Sequence, residues 1–139
     1  TVRRGEIDRK ALMNSIELVK AGQMILLAPE GTRHPEGLVE AKDGLAYIAT
    51  KSNAVIIPTG IAGATDWKER LLKFQRPHIR VNFGRPFRFK GAGERIPREA
   101  LTAMSHEAMY QLALAVPHES LRGFYRDVSQ ATTEHLDFV

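Results

Sequence analysis

The sequence predicts an α/β domain with a mixed, mostly parallel sheet flanked by helices. Helical patterns and short apolar runs alternate from residue 8 to residue 89, as they do when helices connect neighbouring strands of one sheet. The apolar runs are rich in β-branched side chains and are bounded by Gly or Pro, which is typical of buried strands. A chain of 139 residues with 43% hydrophobic and 26% charged residues has room for one such domain.

Four elements are expected in the first half of the chain. They are helices over residues 9–21 and 42–52 and buried strands over residues 23–28 and 54–61, with a polar loop over residues 29–40. Asp8 is a suitable N-cap for the first helix, and Gly22 is its stop signal. The apolar stripes that place these helices against the sheet are Leu12, Ile16 and Val19 in the first and Leu45, Ile48 and Ala49 in the second.

Four more elements are expected in the second half. They are a short helix over residues 65–74, a third strand over residues 79–89, a helix over residues 97–115 and a short helix over residues 118–127. Pro97 is well suited to open the long helix. Its apolar stripe is Leu101, Met104, Ala108 and Leu112. We expect residues 1–116 to form the main domain and residues 117–139 to form a short helix and a weakly ordered tail.

Composition narrows the possible classes of protein. The chain has no cysteine, so disulfides and thiolate zinc sites are unavailable. No apolar run approaches the ~20 residues that cross a bilayer. The net charge is +4 and the isoelectric point is about 9.6. Basic side chains cluster in residues 76–90, which is compatible with an anionic partner and equally with a solvated charged face.

The most informative segment follows the first predicted strand and reads Pro29-Glu30-Gly31-Thr32-Arg33. In open α/β sheets, ligands bind just outside the carboxyl ends of the strands. Gly31 permits a sharp turn, and Arg33 presents a planar fork of donors suited to a phosphate or carboxylate. Glu30 can orient that guanidinium, and Thr32 can donate to a phosphate oxygen or to a neighbouring carbonyl. The segment therefore predicts an anion site.

Five motifs in the same order along the chain carry a family resemblance. They are Arg3-Arg4-Gly5-Glu6-Ile7-Asp8-Arg9, Pro29-Glu30-Gly31-Thr32-Arg33, Ala41-Lys42-Asp43-Gly44, Val55-Ile56-Ile57-Pro58 and Phe83-Gly84-Arg85-Pro86. Together they resemble the glycerolipid acyltransferases, the 1-acylglycerol-3-phosphate (lysophosphatidate) acyltransferases and their relatives. Ala41 stands where the family usually has an aromatic residue. The resemblance is specific to the superfamily and leaves the substrate open.

The resemblance implies roles for particular residues. Arg9 and Arg33 would hold the phosphate of the acceptor, and Glu30, Gly31 and Thr32 would shape the same site. For Lys42, at the start of the second predicted helix, facing the phosphate and plain solvent exposure remain equally open. Pro58 ends a core strand and would form part of the pocket wall, chiefly as a structural stop.

One family motif is absent from this sequence. The catalytic H-x-x-x-x-D block lies before the I-D-R block in the family, and none of the five histidines of this chain has Asp at that spacing. We therefore expect a fragment that lacks the N-terminal part of its domain and is inactive alone. His34 is near the predicted site, but the family places its base elsewhere and no Asp stands at the partner spacing.

The activity implied is transfer of an acyl group from acyl-CoA or an acyl carrier protein thioester to a hydroxyl of lysophosphatidate or a similar glycerol phosphate. No bound cofactor or metal is implied. An anionic membrane surface is the implied partner and the cytoplasmic face of the membrane the implied location. A non-catalytic module that binds phosphate or anionic lipid is the alternative.

Trp67 and the basic stretch each allow a further interpretation. Trp67 is either an interfacial anchor or an ordinary, partly buried residue. The basic stretch with Phe83, Phe87 and Phe89 is a weak sign of nucleic-acid binding, although Phe87 and Phe89 fit better as core residues of a strand.

Overall fold

The computed structural model describes residues 9–30, 37–63, 67–76 and 78–139, without the side chain of Trp67. Within these ranges the elements are α1 (Arg9–Lys20), α2 (Gly44–Ser52), β1 (Thr59–Ala62), α3 (Trp67–Leu72), β2 (Arg80–Phe83), β3 (Phe87–Phe89), α4 (Arg98–Ala115), 3₁₀ segments at Glu119–Tyr125 and Val128–Gln130, and β4 (Leu136–Phe138). The prediction of a mixed helix and strand protein is confirmed. The predicted Asp8 cap lies outside the described residues.

The predicted mostly parallel sheet is wrong for the described part of the chain. Its strands form two antiparallel pairs, β1 with β2 and β3 with β4. Thr59 faces Phe83 in the first pair, and Phe87 faces Phe138 in the second. An isolated bridge between Ile56 and Phe87 places the segment before β1 beside the second pair. The expected regular alternation of helices and strands is also incomplete, because α1 is followed by α2 and β2 is followed by β3.

The predicted first strand is also wrong, because residues 23–28 have no regular secondary structure. A strand is stabilised by hydrogen bonds to a neighbouring strand, and the described residues place none beside this segment. Met24 and Leu26 are consequently 94% and 93% exposed. The apolar run identifies a surface suited to burial without providing the neighbour that would bury it.

The third predicted strand is in fact two strands. Residues 84–86 separate β2 from β3, and the two strands pair with different partners. Pro86 has no N–H to give to a ladder. Between the two strands, the Gly84 N–H donates to the Pro58 carbonyl at 2.8 Å. Phe87 and Phe89 are buried, as the strand pattern predicted.

The helices agree best with the predictions. The expected stripes point inward: Ile16 in α1, Ile48 and Ala49 in α2, and Met104 and Ala108 in α4 are buried. α4 lies against both α2 and β1 and so forms the spine of the core. Two buried clusters flank it. One contains Ala46, Ala49, Phe87, Phe89, Met104, Ala108 and Leu136, and the other Leu38, Met109, Ala113 and Tyr125. Among the described residues there is no helix long and apolar enough to span a membrane.

The last residues form a strand rather than a weakly ordered tail. β4 pairs with β3, and Leu136 is buried against the first cluster. The helix expected over residues 118–127 is a 3₁₀ segment with a kink at Gly123. Residues 117–139 thus pack on the core, while the division of the chain at residue 116 stays a prediction.

Candidate phosphate-binding groove

A groove of about 1060 Å³ lies between the starts of α1 and α2. Arg9 is the first residue of α1, and Lys42 stands two residues before α2; both line the groove. Leu12 of α1 and Leu45 of α2 are among its apolar lining residues. The structure therefore places two cations that are far apart in sequence along one groove, while their roles in binding phosphate stay predictions. The predicted proximity of Arg9 to Arg33 stays a prediction, since Arg33 is outside the described residues.

The amino-terminal end of α2 faces the same groove through Asp43 and Gly44. The first backbone N–H groups of a helix have no partner within the helix, and they carry a partial positive charge that favours anions. Asp43 does not cap them with its side chain. Its Oδ1 accepts from Thr102 Oγ1 at 3.1 Å, and its Oδ2 lies 3.9 Å from Arg98 Nε, so the carboxylate ties α2 to α4.

Glu30 is half-buried, and it does not line the groove. Its Oε2 accepts the Val39 N–H at 3.1 Å. The Lys42 N–H donates to the Pro29 carbonyl at 3.3 Å in parallel with this contact. Glu30 therefore joins the two described ends of the segment that runs from the first apolar run to α2. This geometry supports a shaping role for Glu30, with its carboxylate occupied by a backbone donor.

Three of the predicted site residues, Gly31, Thr32 and Arg33, lie outside the described residues, as does His34. Their predicted roles stay predictions. Lys42 is exposed at the groove, and its side chain has no hydrogen bond or ion pair among the described residues. It is therefore placed to meet a ligand.

Pro58 is buried and lines a second, apolar cavity of about 580 Å³. Pro29, Leu45 and Ile48 line both this cavity and the groove, so the two spaces are adjacent. Pro58 also supports the Gly84 turn, where an added methyl group would lie 3.1 Å from the proline Cβ. Pro58 thus lines a cavity and packs tightly against Gly84, and its predicted role as a wall of the substrate pocket stays a prediction.

Tyr125, which the motifs did not single out, contacts the segment beside the groove. Its Oη accepts the Ala41 N–H at 3.0 Å and lies 3.0 Å from His106 Nδ1. Burial of the ring is the main cause that raises the pKa of Tyr125 above its ordinary value of 10.0, and the Ala41 hydrogen bond opposes this shift. The negative charges of Glu40 and Glu30 raise the pKa of Tyr125 further. The one sequence signal for this contact is Gly123, which interrupts an otherwise helical pattern.

The described residues include no group of three or more His, Asp or Glu side chains arranged to hold a metal ion. Two cations beside a helix terminus, next to apolar walls, form a class of site suited to an anionic ligand that also carries apolar groups.

A known family matches this part of the chain. Residues 1–62 match the family model described as Acyltransferase. The resemblance to the glycerolipid acyltransferases is thereby confirmed over these residues. The match contains Arg9, Glu30, Lys42 and Pro58, whereas α3, α4 and the C-terminal strand lie beyond it. No curated protein and no solved structure matches the chain significantly.

Proposed function

We propose that this chain is the phosphate-binding part of an enzyme that acylates a glycerol phosphate acceptor, such as lysophosphatidate. The acyl group would come from acyl-CoA or an acyl carrier protein thioester. The observation that carries the proposal is the shared groove of Arg9 and Lys42, within the part of the chain that matches the acyltransferase family. Two cations and the α2 amino terminus provide the donors that a phosphate monoester needs.

In this proposal the chain binds and orients the acceptor, and it does not supply the base. Arg9 and Lys42 hold the phosphate, and Glu30 holds the Val39 N–H in the segment that leads to Lys42. The acceptor hydroxyl would lose its proton to the histidine of an H-x-x-x-x-D block, which this sequence does not contain. The oxygen would then attack the thioester carbonyl directly, the C–S bond would break, and the released CoA or carrier thiolate would take the proton back from the histidine. We accordingly expect no turnover by the 139-residue chain.

The phosphate site is tested by titrating the chain with glycerol 3-phosphate in a calorimeter. Lys42→Ala should weaken binding about 1.5- to 5-fold, as expected for an exposed ion pair with a ligand. Lys20→Ala is the matched control, because Lys20 is an exposed lysine at the other end of α1 and does not line the groove. Equal effects of the two variants would contradict a local phosphate site.

Catalysis by the parent protein is tested separately by reading the encoding DNA upstream of the codon for Thr1. An in-frame H-x-x-x-x-D block would supply the missing base. Its absence would leave the non-catalytic module as the leading account. Turnover of lysophosphatidate and acyl-CoA by the chain itself, abolished by Arg33→Ala, would refute the division of roles that we propose.

We also propose that the chain docks on an anionic membrane surface, and an exposed patch around α3 favours this. Leu71, Leu72 and Phe74 are 60%, 83% and 100% exposed. Residues 68–80 contain five Lys or Arg side chains against one carboxylate, that of Glu69. Apolar side chains surrounded by cations are typical of surfaces that bind anionic lipid. This observation supports both the peripheral location of the enzyme and the alternative of a lipid-binding module.

Membrane docking is tested by co-sedimentation with phosphatidylcholine vesicles that contain or lack phosphatidylglycerol. Leu72→Asp should reduce binding to the anionic vesicles about 3- to 10-fold, since it removes apolar area from the contact and adds a like charge to the lipid. Leu114→Asp is the control, because Leu114 is an exposed leucine that belongs to α4 and not to residues 68–80. If both variants bind as the unmodified chain does, the patch is not the docking surface.

A further inference from the structure

The segment beside the candidate groove is held from the far end of the chain. The Leu38 N–H donates to the Leu121 carbonyl at 3.0 Å, and the Phe124 N–H donates to the Leu38 carbonyl at 2.7 Å. The Ala41 N–H donates to the Tyr125 hydroxyl at 3.0 Å. Three hydrogen bonds therefore join residues 38–41 to residues 121–125. We call residues 119–125 the clamp.

The two backbones approach so closely that only glycine fits between them. A methyl group at Gly37 would lie 2.8 Å from the Leu121 carbonyl oxygen, and one at Gly123 would overlap the Leu38 backbone. Both glycines have positive φ, 110° at Gly37 and 50° at Gly123, where side chains are strained. The contact is thus built into both segments, although 83 or more residues separate them in sequence.

The clamp ends at Tyr125, whose buried hydroxyl contacts both α4 and the segment that contains Ala41. Tyr125 is fully buried, with its ring 5.0 Å from that of Tyr110 in an edge-to-face arrangement. Besides accepting from Ala41, its hydroxyl lies 3.0 Å from His106 Nδ1, and His106 Nε2 lies 3.9 Å from Glu40 Oε1. With the proton of His106 on Nε2, facing Glu40, the Tyr125 hydroxyl donates to Nδ1 and accepts from Ala41. The Tyr125 hydroxyl then uses both its donor and its acceptor capacity.

We propose that Tyr125 is a positioning residue for the phosphate site. It fixes Ala41, and the next residue along the chain is Lys42, which lines the groove. The clamp also fixes Leu38, whose neighbour Val39 binds Glu30. The proposal rests on the proposed phosphate site, and it assigns a role in that site to a segment beyond the matched residues 1–62.

The test compares Tyr125→Phe with Tyr110→Phe in the full 139-residue chain. Each variant keeps its aromatic ring, fully buried at position 125 and partly buried at position 110, and loses one hydroxyl. The Tyr110 hydroxyl contacts only the exposed Gln130 side chain, at 3.4 Å, among the described residues. Hydrogen exchange of the Ala41 amide is measured by NMR, and glycerol 3-phosphate affinity by calorimetry. Thermal unfolding of each variant checks that the chain remains folded.

In Tyr125→Phe we expect exchange at Ala41 to accelerate about 2- to 12-fold, the factor that one hydrogen bond contributes. We expect affinity for glycerol 3-phosphate to fall by a similar factor, and Tyr110→Phe to change neither. Unchanged exchange at Ala41 would overturn the contact, and faster exchange with unchanged affinity would overturn the positioning role. Failure of the unmodified chain to bind glycerol 3-phosphate is a different result, which would overturn the proposed phosphate site and with it the role of Tyr125.

Discussion

Glu107 offers the sharpest test of how the C-terminal strand is held. The side chain is buried in α4, with 3% of its surface exposed. Oε1 accepts from Thr132 Oγ1 at 3.0 Å and the Glu134 N–H at 3.1 Å, and it lies 3.1 Å from His135 Nδ1. Oε2 accepts the His135 N–H at 3.0 Å. One carboxylate therefore binds three residues, Thr132, Glu134 and His135, in the short segment just before β4.

Glu107→Gln replaces one of these oxygens by an NH₂ group. If the amide oxygen keeps the Oε1 position, its nitrogen faces the His135 N–H, which then loses its acceptor. A buried donor without a partner costs about 1–3 kcal/mol, and the remaining contacts lose the strength that the charge provides. Relief from burying a charge offsets part of this loss. We expect the free energy of unfolding to fall by roughly 2–4 kcal/mol.

Urea unfolding followed by circular dichroism measures this change, and Glu99→Gln is the control. Glu99 lies in the exposed first turn of the same helix, where a carboxylate contributes about 0.3–1 kcal/mol through the helix dipole. A loss for Glu107→Gln no larger than that for Glu99→Gln would refute the reasoning. Faster hydrogen exchange in β4 should accompany the expected loss, because the contact holds the residues that lead into that strand.

Two further predictions concern the clamp. Gly123→Ala should lower the free energy of unfolding by about 1–3 kcal/mol more than Gly93→Ala does. Both glycines have positive φ, but only at Gly123 would an added methyl group meet backbone atoms. Urea unfolding of the two variants measures the difference, and equal losses would contradict the close approach. The raised pKa of Tyr125 predicts stability that is fully present below pH 10.0, the ordinary pKa, and is lost as pH rises through the higher pKa of the folded state. Unfolding measured between neutral pH and pH ~11 should therefore show a steeper decline for the unmodified chain than for Tyr125→Phe, while Tyr110→Phe keeps that decline.

Helices were predictable from sequence because their periodicity is set by nearby residues. The apolar stripe of α4 repeats every three or four residues, so its residues lie on one face of the helix. That face packs on the core even if the predicted first residue of the helix is wrong by one position. Strands depend on partners that are distant in sequence. The apolar run at residues 23–28 has the composition of a strand and no described neighbour, while residues 79–89 are divided because β2 and β3 pair with different segments. The pattern indicates which surface is suited to burial, but the partner decides whether a strand forms.

The same distinction applies to the candidate site. Arg9, Glu30 and Lys42 were predicted because they stand in motifs that resemble those of a family, and the match over residues 1–62 bears out that resemblance, while the roles of the three residues stay predictions. Tyr125 has no such motif, and its role depends on a single hydroxyl that meets a backbone N–H 84 residues earlier. No local pattern encodes a contact of that kind. Gly123 is the only signal near it, and a glycine within a helical pattern indicates a break without indicating what approaches.

The candidate phosphate site depends on residues from both halves of the chain. Motif residues provide the charges, but the orientation of residues 38–42 depends on the Leu38 and Ala41 contacts to the 3₁₀ segment. That segment is in turn attached to α4 by the Arg122 Nε–H, which donates to the Ala113 carbonyl at 3.1 Å. α4 also binds Asp43, at the start of α2, through Thr102. Lys42 thus lies between two points fixed by the C-terminal half, so a phosphate site built on the motifs alone would lack the contacts that orient it.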